Sequence, residues 1–189
     1  MQETHTLTYF PVTPDRWADF ERLFGPNGAC AGCWCAWWRV PGSEFNKMGK
    51  DGHKNVIRTA VQEGLEPGLL AYDGTIPAGW VALAPREQYP RLARSRNLYP
   101  VDDAPVWSIT CFFIDRHYRR QGMMEGLIRA AVDYARTHGA AIVEAYPLDP
   151  HEKISAGSLY TGVASTFIAA GFVEVARRGD HPIMRYKII

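Results

Sequence analysis

The residues with the clearest chemical potential lie in a short basic turn between an apolar strand and an amphipathic helix. Arg119, Arg120, Gln121 and Gly122 precede Met123, where the apolar positions take on helical spacing. Backbone N–H groups at a helix N-terminus lack intrahelical partners and carry a partial positive charge. A glycine lets the backbone approach a phosphate oxygen, and arginines add charged donors. The turn therefore predicts a pyrophosphate-binding site, with a solvated basic turn as the alternative.

The elements on either side must hold this turn in place. Val106–Ile114 is mostly apolar and rich in β-branched and aromatic residues, which is typical of a buried strand. From Met123 to Ala135 the apolar residues form one stripe, and Gly139 is expected to end that helix. The sequence thus predicts a strand, a glycine turn and a helix in direct succession.

A second chemical candidate is the cysteine-rich stretch that begins at Cys30. Cys30, Cys33 and Cys35 could bind zinc if His53 or Cys111 completed the four ligands of a structural site. Cys30 and Cys33 also form a C-x-x-C pair, but a thioredoxin-like βαβ context is missing. The favoured interpretation treats the cysteines as small apolar packing residues beside tryptophans, with no bound metal.

Composition limits the classes of function. The 189 residues are 47% hydrophobic with a formal net charge of +1, which fits one globular domain over residues 1–189. The near-neutral charge argues against nucleic-acid binding. No apolar run approaches the ~20 residues of a membrane helix, and residues 1–5 lack a signal-peptide pattern. We therefore expect a cytoplasmic protein that binds neither nucleic acid nor membrane.

Hydrophobic periodicity predicts the remaining elements. Strands are expected at Thr6–Val12, Leu69–Tyr72, Gly79–Ala84, Ala141–Tyr146, Phe172–Arg177 and Ile183–Ile188. Helices are expected from Pro14 to Phe24, from His53 to Glu63 and from about Gly162 to Ala170, and loops at Pro41–Gly52, Pro85–Pro105 and Leu148–Gly157. The order is βααββ followed by βαβαββ, which indicates a mixed α/β fold.

Two motifs resemble the GNAT superfamily of N-acetyltransferases. Ile114–Met124 is similar to the family's acetyl-coenzyme A motif, which is Gln or Arg, two residues, Gly, one residue, then Gly or Ala. Arg119 and Gly122 match this motif, whereas Met124 replaces its last small residue. Tyr160–Val175 resembles the family's last helix and its Gly-Phe turn. The resemblance implies the GNAT fold, a strongly twisted mixed sheet of about seven strands with helices on both faces.

The resemblance also implies direct transfer of an acetyl or other acyl group from acetyl-coenzyme A, as cosubstrate, to an amine of a small molecule or peptide. Pantetheine would lie along the end of the central strand, and phosphates would bind the glycine turn. The implied cofactor-binding residues are Phe112, Phe113, Ile114, Arg119, Arg120, Gln121, Gly122, Met123 and Met124.

In this family the segment after the first helix borders the acceptor cleft. By that resemblance Trp34, Trp37, Trp38 and Arg39 are candidate substrate-binding residues. The alternatives are ordinary core packing for the tryptophans and a surface position for Arg39.

Two further residues are catalytic candidates. Glu144 is a lone carboxylate in an apolar strand and could serve as general base, with a solvent-facing position or a salt bridge to an arginine as the alternative. Phe167 stands where the family usually has its tyrosine acid, so Tyr160 is the first candidate acid. Ser165, Tyr146 or unassisted departure of the thiolate are the alternatives.

Other functions are compatible with these residues. Phe167 and Met124 would also suit a coenzyme A-binding protein without transferase activity, a sensor or interaction module, which turnover of any amine would exclude. A zinc-stabilised interaction module built on the cysteine cluster is a weaker alternative. The chain could act as a monomer or a homodimer.

Overall fold

The computed structural model describes residues 6–149, 159–179 and 181–188, and a seven-stranded sheet forms its centre. The strands are β1 (Leu7–Pro11), β2 (Gly68–Asp73), β3 (Ile76–Pro85), β4 (Trp107–Ile114), β5 (Ile142–Ala145), β6 (Val173–Arg178) and β7 (His181–Lys187). Their order across the sheet is β1-β2-β3-β4-β5-β7-β6. Within this sheet β4 and β5 pair in parallel, and all other neighbours are antiparallel.

Helices cover both faces of this sheet. They are α1 (Trp17–Phe24), α2 (Gly42–Gln62), α3 (Pro90–Ala93), α4 (Met123–Thr137) and α5 (Ala164–Ala169). The apolar stripes of α1 and α2 share one core with Leu70 and Trp80, whereas α4 and α5 share another with Leu69 and Val81. The predicted mixed sheet with helices on both faces is confirmed.

The alternation of side chains along β4 assigns its residues to the two cores. Cys111 and Phe113 contribute to the α1/α2 side, and Phe112 to the α4/α5 side. Since the strand is covered on both faces, it is apolar almost throughout, as the sequence indicated.

The predicted loop at Pro41–Gly52 is wrong, because α2 begins at Gly42 and runs through it with a kink at Gly49. Gly49 has a φ of +66°, which glycine tolerates and which breaks the helical periodicity. Tertiary contacts stabilise this glycine-rich first half. The ring of Phe45 stacks on His53 with 3.7 Å between centroids, and His53 Nε2 lies 2.8 Å from the Phe45 carbonyl oxygen.

The other helix and loop boundaries differ less from those predicted. The Pro85–Pro105 connector contains a 3-10 turn at Arg86–Gln88 followed by α3. Helix α5 starts at Ala164 rather than Gly162, since Gly162 has a φ of +82°. Residues 150–157 of the predicted 148–157 connector, the start of the chain at 1–5, and Asp180 of the last predicted turn lie outside the described residues. Among the described helices, none has the length and apolarity needed to cross a membrane.

Candidate functional site

Strands β4 and β5 separate halfway along the sheet. They pair only through Trp107–Ile109 and Val143–Ala145, so residues 110–114 of β4 continue without β5 beside them. The result is a gap on the β5 side of β4, at the end of the strand that leads into the basic glycine turn.

The direction of the β4 backbone groups follows from two hydrogen bonds. Phe112 N–H donates to the Tyr160 carbonyl oxygen at 2.6 Å, away from β3, whereas Asp115 N–H donates to the Ala78 carbonyl oxygen at 2.9 Å, toward β3. Because backbone groups alternate sides along an antiparallel strand, the N–H of Ile114 faces the gap and that of Phe113 faces β3. The Phe112 N–H also faces the gap, but Tyr160 already engages it.

The glycine turn has the backbone geometry that an anion site requires. Gly122 caps α4 with a φ of +78°, and no atom lies within 4 Å of the position that a Cβ would take. Arg119 to Gly122 are all exposed. Arg119 Nε donates to the Ile114 carbonyl oxygen at 2.9 Å, which holds its guanidinium beside the gap. These features fit a pyrophosphate at the α4 N-terminus.

The two methionines that open α4 have different surroundings. Met123 is 4% exposed, and its sulfur reaches Gly79 of β3, so its side chain anchors the helix to the sheet. Met124 is half-buried and lies toward Gly162 and the ring of Phe112. Met124 therefore fills space beside the gap rather than the phosphate loop itself.

A pocket of about 350 Å³ lies against the same end of β4, on the α1/α2 face of the sheet. We call it the acceptor pocket. Its walls are aromatic rings, thiols and small side chains: Ala29, Cys30, Ala31, Cys33, Cys35, Trp37, Trp38, Phe45, Cys111, Phe112, Phe113 and Tyr160. The gap thus meets this strand end at its β5 edge, and the pocket meets it on the α1/α2 face.

The segment at 28–36 that forms one pocket wall has an unusual backbone. Four of its non-glycine residues have positive φ: Ala29, Ala31, Trp34 and Cys35. Each left-handed residue of this kind costs about 1–3 kcal/mol and persists only where surrounding contacts enforce it, often at functional sites.

Of the four predicted substrate-binding residues, two line the pocket and two do not. Trp37 and Trp38 line the acceptor pocket. Trp34 is 4% exposed and stacks on Phe24 with 5.5 Å between centroids, so it packs in the core. Arg39 donates to Gln88 Oε1 and the Pro67 carbonyl oxygen, contacts that tie the segment to β2 and the 3-10 turn. Trp34 thus corresponds to its alternative, core packing, whereas Arg39 is half-buried and held by contacts within the protein rather than placed on an open surface.

A charged residue supports the outer wall of the pocket. The guanidinium of Arg91 lies over the Trp37 ring at 3.7 Å from the centroid and near the Phe45 ring at 5.4 Å. Arg91 Nε also donates to the Val40 carbonyl oxygen. Arg91 therefore already places a cation on one face of the Trp37 ring and close to the Phe45 ring.

Tyr160 connects the gap with the pocket. Its carbonyl oxygen accepts from Phe112 in the gap, while its side chain lines the acceptor pocket. Burial raises the pKa of its hydroxyl to about 12. Tyr160 is thus protonated at neutral pH and can donate a proton at the point where gap and pocket meet. Phe167, at the position expected for a tyrosine, is fully buried.

Glu144 does not have the surroundings of a free base. It is 1% exposed and accepts from Arg86 Nη1 at 2.8 Å, Arg185 Nε at 2.7 Å and the Tyr146 hydroxyl at 2.7 Å. Arg185 also pairs with Asp102 in the long connector. These contacts favour the alternative, the arginine salt bridge, and the assignment of Glu144 as base stays a prediction.

The backbone engages His53, one of the residues that could have completed a zinc site. Both ring nitrogens of His53 face backbone carbonyl oxygens, at 2.9 Å from Gly32 and 2.8 Å from Phe45. Within residues 6–149, 159–179 and 181–188, no group of three or more His, Cys, Asp or Glu side chains is arranged to hold a metal ion.

Sequence reasoning did not assign seven of the twelve lining residues to the site, and Phe45 and Cys111 are two of them. Phe45 lay in a segment predicted as a loop, and its helical environment was hidden by the glycines at 42, 49 and 52. Cys111 was assigned to the core, and it is a buried core residue that also lines the pocket, on the same face of β4 as Phe113. The alternation alone could have found Cys111.

The chain is similar to known proteins in both sequence and fold. Residues 34–155 match the model of the Acetyltransferase (GNAT) family. No curated protein sequence matches significantly. Solved structures that share the fold include a GNAT-family acetyltransferase from Listeria monocytogenes 4b F2365, at TM-score 0.60 and 11% identity, covering 96% of this chain and 95% of that one.

Two further structures with the same fold carry more specific descriptions. One is the PaiA N-acetyltransferase from Thermoplasma acidophilum in complex with coenzyme A, at TM-score 0.52 and 14% identity over 97% of this chain and 99% of that one. The other is the ribosomal-protein-S18-alanine N-acetyltransferase from Escherichia coli. It has a TM-score of 0.52 and 13% identity and covers 97% of this chain and 94% of that one. With the family model spanning well over half of the sequence, this chain belongs to the GNAT family of acetyltransferases.

Proposed function

We propose that this protein transfers an acetyl group from acetyl-coenzyme A directly to an amine of a small molecule or peptide. The observation that carries the proposal is the convergence at the end of β4. The gap lies at the β5 edge of this strand end, the turn to the α4 N-terminus follows it, and the acceptor pocket lies on its α1/α2 face. The coenzyme A complex of the Thermoplasma protein, which shares the fold, supports the choice of donor.

The donor site uses backbone and arginine donors. The α4 N-terminus at Gly122, with the exposed Arg119 and Arg120, would hold the pyrophosphate. The N–H of Ile114, which faces the gap, would donate to the pantetheine chain. Acetyl-coenzyme A, when bound, supplies a thioester carbonyl that an amine nitrogen can attack, with the thiol as leaving group.

Tyr160 is the residue we assign to proton donation. Its side chain lines the pocket beside the strand end, and its hydroxyl keeps its proton at neutral pH. It would protonate the departing thiolate as general acid. The Phe112 N–H becomes a donor to the thioester oxygen once the Tyr160 carbonyl oxygen releases it.

We expect Tyr160→Phe to lower kcat by about 100-fold, the lower end of general acid catalysis, because a thiolate is a fair leaving group. The dissociation constant for acetyl-coenzyme A should stay unchanged, since the ring remains. Steady-state kinetics and calorimetric titration measure the two effects separately. Tyr134→Phe is the matched control, because burial likewise raises the pKa of Tyr134, on α4 away from the pocket.

The raised pKa of the Tyr160 hydroxyl also predicts how kcat depends on pH. A tyrosine acid acts in its protonated form, and the raised pKa of about 12 keeps Tyr160 protonated well above the usual value of 10. The kcat of the wild type should therefore not decline on account of this group around pH 10, where an ordinary tyrosine with a pKa of about 10 loses its proton. A decline of kcat centred near pH 10 in the wild type, and absent from Tyr160→Phe, would contradict the raised pKa of Tyr160.

The acceptor pocket favours an aromatic amine that is uncharged at neutral pH. Its described walls are neutral there: the hydrogen bond to Cys35 together with burial raises the pKa of Cys33, and burial raises the pKa of Cys35 and Tyr160. Arg91 on Trp37 opposes a second cation. An alkylammonium group would lose its hydration in this pocket, whereas an aromatic amine offers a ring that matches the walls.

We expect Trp37→Ala to raise the KM for an aromatic amine by about 10-fold or more, because a ring wall of the pocket is lost. The affinity for acetyl-coenzyme A should not change. Trp107→Ala is the control, since Trp107 is a half-buried tryptophan of β4 that packs on the α4 side, away from the pocket. Equal KM values for wild type and Trp37→Ala across a panel of aromatic amines would exclude this pocket as the acceptor site.

A second candidate function is coenzyme A binding without transfer. The contact of the Tyr160 carbonyl oxygen with the Phe112 N–H favours it, because that donor is then not free for a thioester oxygen. Titration with acetyl-coenzyme A combined with an amine panel separates the two functions. Binding without any turnover would support the second, and turnover of a single amine would exclude it.

A further inference from the structure

Thiols that the proposed acyl transfer does not use lie together in the wall of the acceptor pocket. Cys35 Sγ and Cys111 Sγ are 2.8 Å apart, although 76 positions separate them in the sequence. Cys33 is hydrogen-bonded to Cys35. All of these cysteines are free thiols, and all line the pocket.

The geometry of the Cys35 and Cys111 pair is close to that of a covalent link. A disulfide bond has a length of about 2.05 Å, so a movement of less than about 1 Å would bring the two sulfurs to bonding distance. The side chains are only 4% and 7% exposed, and Cys111 is held within β4. The fold thus brings together one particular pair of sulfurs from two distant segments.

We propose that Cys35 and Cys111 form a dithiol site that a small hydroperoxide oxidises to a disulfide. The thiolate of one cysteine attacks the peroxide oxygen, and the O–O bond breaks to give a sulfenic acid and an alcohol, or water from hydrogen peroxide. The second thiol then attacks the sulfenic sulfur and releases water. The two sulfurs lose two electrons and two protons in total, and the peroxide is reduced.

The acceptor pocket gives the oxidant a route to these sulfurs. Both thiols line it, so a molecule the size of hydrogen peroxide can reach them despite their burial. Burial raises the pKa of Cys35, which keeps the thiolate fraction small at neutral pH. Since the thiolate is the attacking species, the rate of oxidation should increase as pH rises.

The disulfide would increase the stability of the protein against unfolding. It would join the strained 28–36 segment to β4 and close a loop of 76 positions, which constrains the unfolded chain. The oxidised protein should therefore unfold at a higher denaturant concentration than the reduced one. The proposal does not depend on acyl transfer, because it concerns the thiols alone.

The test uses the Cys30→Ser/Cys33→Ser double variant, which retains only Cys35 and Cys111 of the four cysteines. After hydrogen peroxide treatment we expect its intact mass to fall by two hydrogen atoms and both titratable thiols to disappear. A dithiol reductant should restore them. Peptide mapping of the oxidised wild type should join the peptide of Cys35 to that of Cys111.

Two other results would overturn the proposal. One is a double variant that stays reduced, or that only gains oxygen atoms as sulfinic or sulfonic acid. The other is a wild-type disulfide confined to Cys30, Cys33 and Cys35. Both readouts use proteins that keep the proposed pair intact, so a folding defect of Cys35 or Cys111 variants cannot confuse the outcome.

Discussion

We expect Gly122→Glu to weaken the binding of acetyl-coenzyme A by at least about 100-fold, equivalent to about 2.7 kcal/mol. Two effects combine in this variant. A side chain at a φ of +78° strains the α4 cap, and a carboxylate at the helix N-terminus would occupy and repel the place of the pyrophosphate. Calorimetric titration of wild type and variant measures the change directly.

Gly139→Glu is the matched control for this experiment. Gly139 lies just beyond the other end of α4 with a φ of +76°, and the position that its Cβ would take has no atom within 4 Å, as at Gly122. The control thus carries the same charge and similar backbone strain, and it should bind acetyl-coenzyme A like the wild type. Equal losses in both variants would mean that strain, not the anion site, explains the effect.

The second large effect concerns Glu144. We expect Glu144→Gln to lower the free energy of unfolding by about 3–5 kcal/mol, the cost of breaking a buried ion pair. The two guanidinium groups of Arg86 and Arg185 would lose their shared buried carboxylate. Urea denaturation of wild type and variant gives the difference.

Glu125→Gln is the control, because Glu125 pairs with Arg129 on the exposed face of α4. Exposed pairs of this spacing contribute about 0.3–0.5 kcal/mol, so this variant should be nearly as stable as the wild type. The same comparison tests the assignment of Glu144 as base. A stable Glu144→Gln protein that binds acetyl-coenzyme A but loses kcat would support that assignment.

Local sequence patterns determined the elements around the donor site. The apolar strand, the glycine turn and the amphipathic helix depend on short-range periodicity and on the conformational freedom of Gly122. The structure contains them as β4, the turn that ends at Gly122 and α4, with strand and helix bounds within one or two residues of those predicted. The order of strands and helices followed from the same periodicity. Glycine-rich helices are the exception, since the first half of α2 depends on Phe45 packing against His53.

Only the tertiary structure decided which side chains meet. The role of Glu144 depends on Arg86, 58 positions away, and on Arg185, 41 positions away, and no local pattern specifies such distant partners. The contact between Cys35 and Cys111 and the position of Tyr160 between gap and pocket have the same origin. The sequence by itself was enough to predict an anion site, because that site is made of consecutive residues. The acceptor pocket required the fold, because its walls come from separate stretches of the chain that meet only when the sheet and helices pack.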